Sequence, residues 1–173
     1  MKLRPAEKDE FECVRDFYWE LIDLMQGRPD TVGWKKGIYP SDSFLSDSID
    51  RGELYILETE AGLSASVILN SSWNEGYDGL PWSIECGRED VLVPHALGVH
   101  PSMHMCGIGT AVVSDIISIA KALGKKTVRL DILKGNTAAE RLYSKSGFSF
   151  VGSNDMFYED TGLTEFLMYE LIL

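Results

Sequence analysis

Apolar residues at Phe11, Val14, Phe17, Tyr18, Leu21, Ile22 and Met25 recur every three or four positions, with Glu12, Asp16, Glu20 and Asp23 between them. That period gathers the apolar side chains on one face and predicts an amphipathic helix that stops near Gly27. A short strand at 2–4 precedes it, and a second helix is predicted over 42–50, entered from Pro40-Ser41 and left at Gly52. The intervening GRPDTVGWKKGIYP is too rich in glycine and proline to be regular. Two β-rich runs, 54–57 and 63–69, are parted by Glu60-Ala61-Gly62 and read as an antiparallel hairpin. After the loop SSWNEGYDGLPWS come a strand over 91–99, a helix over 108–123 and a strand over 127–133. Asn136 can cap a further helix over 137–146, and Gly147 can supply the left-handed residue that ends it. Strands at 148–151 and 165–173 close the chain. The order β-α-α-β-β-β-α-β-α-β-β belongs to a mixed sheet with helices on both faces.

Length and composition fit this picture. The 173 residues suit one domain over 1–173, and 45% apolar with 25% charged residues is ordinary for a soluble protein. No apolar run approaches the roughly 20 residues of a membrane helix, and MKLRPAEKDE lacks the apolar core of a secretory signal. Cys13, Cys86 and Cys106 form neither a CxxC pair nor an even set, so a cytoplasmic location is expected, with no membrane partner. The net charge of −11 argues against nucleic acid, whose binding depends on neutralising phosphates. Its distribution is uneven: 1–95 carries −10, 96–150 carries +4 and 151–173 carries −5. The basic middle segment is either a set of solvated helix faces or a local anion site on an acidic body.

That middle segment contains HALGVHPSMHMCGIGTAVV, residues 95–113, in which a strand meets a proline-marked turn, two nearby glycines and an apolar helix. A dinucleotide fingerprint would need glycine where Val112 stands. A P-loop would need glycine at Ile119 and serine or threonine at Lys126. Both readings fail. Gly107 and Gly109 can still serve tight turning and close helix packing, or let an anion approach the unpaired amides of a helix start.

Together with NTAAERLYSKSGFSFVG, residues 136–152, this stretch resembles the two signature regions of the GNAT superfamily of acyl-CoA-dependent N-acetyltransferases. Val99, Pro101, Gly107, Gly109, Asn136, Ala139, Leu142, Tyr143, Lys145, Gly147 and Phe148 match the pattern. The resemblance implies an α/β (α+β) fold with a mixed, mostly antiparallel sheet of 6–7 strands flanked by about four helices. It implies acetyl-CoA as cofactor and transfer of its acetyl group to a primary amine of a small molecule or peptide. By matching position, Leu97, Gly98 and Val99 would hold the pantetheine arm. Met105, Cys106, Gly107, Ile108, Gly109 and Thr110 would cradle the pyrophosphate, with Asn136, Ala139 and Lys145 on the other side. Asn136 also serves as a helix cap.

Tyr143 matches the family's acid for the departing thiolate; without the motif it would read as a packed aromatic. His95 is the first choice for the base, because an imidazole can take a proton near neutral pH, and HALGVH resembles a segment of arylalkylamine acetyltransferases where histidines do this work. Those enzymes carry a second histidine where this chain has Val93. Glu85 is the reserve, water a third option, and a structural histidine the alternative reading. His104 stands where the family usually has Arg or Gln, so the cradle rests on amides and on Lys145, Lys134 or Arg141. His100 reads as a turn residue, and Cys106 as a small residue of the cradle.

The acceptor side falls to the first half, where Trp34, Tyr39, Trp73, Tyr77 and Trp82, with Asn70 and the acidic Asp30, Glu75 and Asp78, suit a small cationic amine. Any one of these aromatics can equally be core. A non-catalytic acyl-CoA sensor and a protein-modifying acetyltransferase are the rival functions, and a homodimer is left open.

Overall fold

The computed structural model describes residues 2–28 and 33–173. Among these residues, seven strands form one sheet in the order β1-β2-β3-β4-β5-β7-β6, and four α-helices flank it. The strands are β1 (Arg4–Pro5), β2 (Leu54–Thr59), β3 (Gly62–Asn70), β4 (Val91–Val99), β5 (Thr127–Leu133), β6 (Ser149–Tyr158) and β7 (Gly162–Ile172). The helices are α1 (Phe11–Met25), α2 (Asp42–Asp50), α3 (Ile108–Ala122) and α4 (Thr137–Lys145).

The predicted helical stripe of α1 is the buried one: Val14, Phe17, Tyr18, Leu21 and Met25 pack with Leu45 and Ile49 of α2 against Leu54, Ile56, Ile68 and Ala96. On the opposite face, Ile108, Val112, Val113, Ile116 and Ala120 of α3 cover Val67, Leu92, Val128, Leu130 and Ile132. The 71–90 loop extends the first layer, its Tyr77 packing on Val91, Val93, Met156 and Phe166.

Neighbouring strands pair antiparallel except β4 and β5, which run parallel and pair only at Val91↔Thr127 and Leu92↔Val128. Beyond those two pairs the strands part. The cause lies in β4, where three steps from His95 to Gly98 oppose two on β3, from Ile68 to Ser66. The extra residue makes a β-bulge, and Ala96 takes the left-handed φ of 49° within it. Tyr18 Oη, fully buried, hydrogen-bonds the Ala96 carbonyl at 2.8 Å and Ser66 Oγ at 3.1 Å, which holds the kink. The result is a cleft of about 680 Å³ lined by Pro94–Val99 on one strand and Leu130–Leu133 on the other.

Two predicted boundaries are corrected. The strand expected at 2–4 lies at Arg4–Pro5, and the strand expected at 148–151 continues to Tyr158 as one arm of a long hairpin with β7. Gly152, Ser153, Asn154 and Asp155 are weak strand formers, but pairing with β7 along the whole length overrides their propensity.

Candidate active site

The turn after β4 is built mostly from main chain. His100 accepts from Ser102 N and starts a single 3-10 turn, the turn role expected of it. Met105 and Gly107 both take left-handed φ, 64° and 79°, and α3 starts at Ile108. The first amide to find a partner within the helix is Ala111 N, on Gly107 O, so those of Gly107, Ile108, Gly109 and Thr110 are left at the helix mouth. The two glycines divide the roles between them: Gly107 supplies the conformation, whereas a Cβ at Gly109 would stand 3.2 Å from Leu142 Cδ2, a tight contact that the Leu142 side chain would have to relieve. Arg141 and Lys145 of α4 line the same end of the cleft. His104 Nε2 lies 3.1 Å from the Val99 carbonyl, so its ring ties the turn to the end of β4.

Of the residues expected in the cradle, Leu97, Gly98, Val99, His104, Met105, Gly107, Ile108, Gly109, Thr110, Asn136, Ala139 and Lys145 line the cleft. Cys106 does not. Its amide is used within the turn, on Met103 O, and its side chain faces solvent. Lys134 pairs with Glu165 instead. Asn136 Oδ1 caps α4 by accepting from Ala139 N at 3.1 Å, which leaves its Nδ2 for the cleft.

Tyr143 lies on α4 with its ring edge-on to Phe148 and is 6% exposed. Its hydroxyl makes no hydrogen bond among the described residues although the residue lines the cleft, and burial raises its pKa above the ordinary phenol value. His95 lines the opposite wall. Asn70 Oδ1 accepts from Ser72 N, so it also accepts from His95 Nε2 at 2.9 Å, which makes that nitrogen the protonated one. Desolvation pushes the imidazole down to about 4, so the ring is neutral.

Several expected acceptor residues lie elsewhere. Glu85 is exposed and outside the cleft. Asn70 sits behind His95, not in the lining. Trp82 stacks on Arg129, 4.5 Å from its ring, and donates to Tyr77 O; Trp73 carries Arg88 at 4.3 Å. The loop aromatics do bind cations, but the cations are the protein's own arginines. Tyr77 is 2% exposed, and Asp78 accepts from Trp73 Nε1. Glu75 is outside the cleft, and Asp30 lies outside the described residues. Trp34 and Tyr39 do reach the lining, in an aromatic series in which Tyr18–Trp34, Trp34–Tyr39 and Phe44–His95 meet edge to face and Tyr39 stacks on Phe44.

Sequence reasoning missed the acids of this wall. Asp131, on β5, lines the cleft within electrostatic reach of Tyr143, and its Oδ1 accepts from Tyr77 Oη at 2.6 Å and Tyr158 Oη at 3.4 Å. Burial raises its pKa despite those bonds. Asp160, in the β6–β7 turn, is 5% exposed, lines the cleft, and is raised for the same reason, with its own and Thr161's amides opposing. The signal for Asp131 was a carboxylate inside the otherwise strand-like TVRLDIL, at the same face as Arg129. Arg129 is itself buried against Glu170 at 2.9 Å, and Glu170 Oε2 accepts from Ser83 N, so the pair clamps the 71–90 loop, and with it Tyr77, onto the sheet.

A model of the acetyltransferase (GNAT) family matches residues 16–148. Among solved structures, a GNAT-family acetyltransferase from Streptococcus agalactiae superposes with a TM-score of 0.82 at 18% identity, over 99% of this chain and 95% of that one. A GNAT phosphinothricin acetyltransferase from Sinorhizobium meliloti, solved with acetyl-CoA, gives 0.71 at 16% identity over 99% and 88%. A ribosomal-protein-alanine N-acetyltransferase from Brucella melitensis gives 0.71 at 16% over the full length of both. No curated protein matches the chain.

Proposed function

The chain belongs to the GNAT acetyltransferase family, and from that premise we propose that its 173 residues form a single domain moving an acetyl group from acetyl-CoA directly to a primary amine of a small molecule. One observation carries the reading: a buried phenol, Tyr143, faces the cleft without a hydrogen-bond partner among the described residues, close to a helix mouth with unpaired amides. The residues fit the cofactor. Gly107's left-handed φ opens the turn, and the amides of 107–110 with the positive end of α3 suit a pyrophosphate. Arg141 and Lys145 add charge, and the kinked end of β4 brings the backbone of Leu97 and Val99 into the cleft for the pantetheine amides, the Val99 carbonyl being shared with His104 Nε2. Acetyl-CoA supplies an activated thioester when bound.

The chain's own groups then move two protons. Tyr143 Oη, kept protonated by burial, serves the leaving sulfur. Asp131 takes the amine's proton. Its carboxylate is oriented by two phenols on Oδ1 and its pKa is raised by burial, whereas the His95 imidazole has fallen to about 4 and already donates from Nε2 to Asn70. His95 thereby keeps a place in the wall as a neutral positioning residue, and Glu85 is too far outside the cleft to serve. Peptide acceptors and a non-catalytic sensor are the competing readings. Free-thiol release from acetyl-CoA across small amines, amino acids and peptides tests all three: release with small amines is expected, and cofactor binding without release from any acceptor would overturn the proposal.

A further inference from the structure

The cleft has two chemically different ends. Arg141, Lys145 and the amides of 107–110 make the cradle end electropositive, while the far end holds Asp131 and Asp160 among Trp34, Tyr39, Tyr158 and Phe166. Asp160 is 95% withdrawn from solvent, and among the described residues no side chain of opposite charge forms an ion pair with it. Lys35, an exposed residue outside the lining, acts on it electrostatically without pairing. Arg28 lines the mouth of the cleft.

An unpaired buried carboxylate costs free energy that a cationic ligand recovers. Aromatic faces beside it add cation–π attraction and exclude water without imposing directionality. Tyr39 and Tyr158 each feel both carboxylates, so the two acids flank one aromatic patch rather than separate sites. The chain as a whole carries a net charge of −11, a field that favours small cations.

We infer that the acceptor is a small diamine: one nitrogen is acetylated beside Asp131, and the second, protonated at neutral pH, is held by Asp160 against Tyr39, Tyr158 and Trp34. This rests on the acetyltransferase reading and narrows its acceptor class. It explains why two acids share a cleft in which one proton acceptor would suffice. It also sets aside amino-acid acceptors, whose carboxylate would meet Asp160.

The test compares α,ω-diamines with n-alkylamines and ω-amino acids of equal chain length, by free-thiol release and by calorimetric titration of the CoA-loaded protein. The best diamine should exceed its matched monoamine in kcat/KM by about tenfold to a hundredfold, the span of one charge-assisted hydrogen bond. Asp160→Asn, whose side-chain oxygen can still accept the turn amides, should bring the diamine-to-monoamine ratio of kcat/KM, both measured on that variant, down towards one; Asp160→Glu should retain part of it. Equal use of diamine and monoamine, or a preference that survives Asp160→Asn, overturns the inference and leaves the acetyltransferase reading standing. If no amine is acetylated, that reading falls, and calorimetry decides the inference alone: diamine binding weakened by Asp160→Asn supports it, and binding indifferent to the second nitrogen overturns it.

Discussion

The cradle end of the cleft is made by one continuous stretch of backbone, residues 99–110, and the acceptor end by side chains from segments far apart in the chain: Trp34, Tyr39, Asp131, Tyr158 and Asp160. A main-chain site depends on where glycine permits a conformation and where a helix begins. A side-chain site depends on each of its supports being packed in place. The first therefore tolerates substitutions that leave the backbone alone, whereas the second should fail from several distant points.

The largest expected break in this contrast is at the reacting groups. Asp131→Asn should lower kcat by about 10²–10⁴, the range of a positioned proton-transfer group, with cofactor affinity unchanged by equilibrium titration. Tyr143→Phe should fall in the same range. His95→Gln, by contrast, should stay within a few-fold; a collapse of activity there would return the proton-acceptor role to the imidazole. Because Asp131 acts unprotonated and its pKa is raised, activity should decline as pH falls through a value above the ordinary carboxylate range. A kcat/KM profile for parent and Asp131→Glu checks the sign.

Next comes the clamp under the acceptor wall. Glu170→Ala leaves Arg129 buried without its partner and should cost about 3–5 kcal/mol, lowering Tm by roughly 6–20 °C in a chain of this size. The loss should appear in thermal melts, while cofactor binding measured well below the transition stays near parental. Equal loss of both would show that the two ends are less separable than their construction suggests.

Smaller still is the cost of keeping His95 neutral. Its folded pKa, about 4, lies below the ordinary value near 6.5. The unfolded chain therefore binds the extra proton first as pH drops, and stability is lost between those two values, by up to ~3 kcal/mol. Denaturant titrations at pH 7 and 4.5 should show the loss in the parent and a reduced one in His95→Gln. The smallest effects belong to the turn: Gly107→Ala should cost about 1–2 kcal/mol for its left-handed φ, and Met105→Gly, relieving the same strain at an exposed position, should gain a fraction of that.

The same contrast explains what could be read from the sequence. Residues 99–110 and 136–148 carry their structure locally, as proline, glycine, cap and helix periodicity, and both helices and the cradle follow from them. The helix over 42–50 and the strand over 127–133 were legible for the same reason. Asp131 and Asp160 were not, because nothing local marks a carboxylate as facing a cleft. The face is decided by the bulge at Ala96 and the parting of β4 from β5, and the bulge needs Tyr18, far away in the chain. Tyr77 and Trp82 were misplaced by the same limit: an aromatic's cation partner can be an arginine of another strand, as Arg129 is for Trp82.

Among the described residues, the two pairs Val91↔Thr127 and Leu92↔Val128 are the sole strand register joining β1–β4 to β5–β7. Mechanically the sheet is two plates with a short seam. From Leu92 to the end of β4 the strand runs roughly 20 Å at about 3.3 Å per residue, so a turn of about 5° at the seam would move the far end by roughly 2 Å, comparable to the radius of an ammonium group. The width of the whole cleft is thus leveraged on four residues that touch neither ligand.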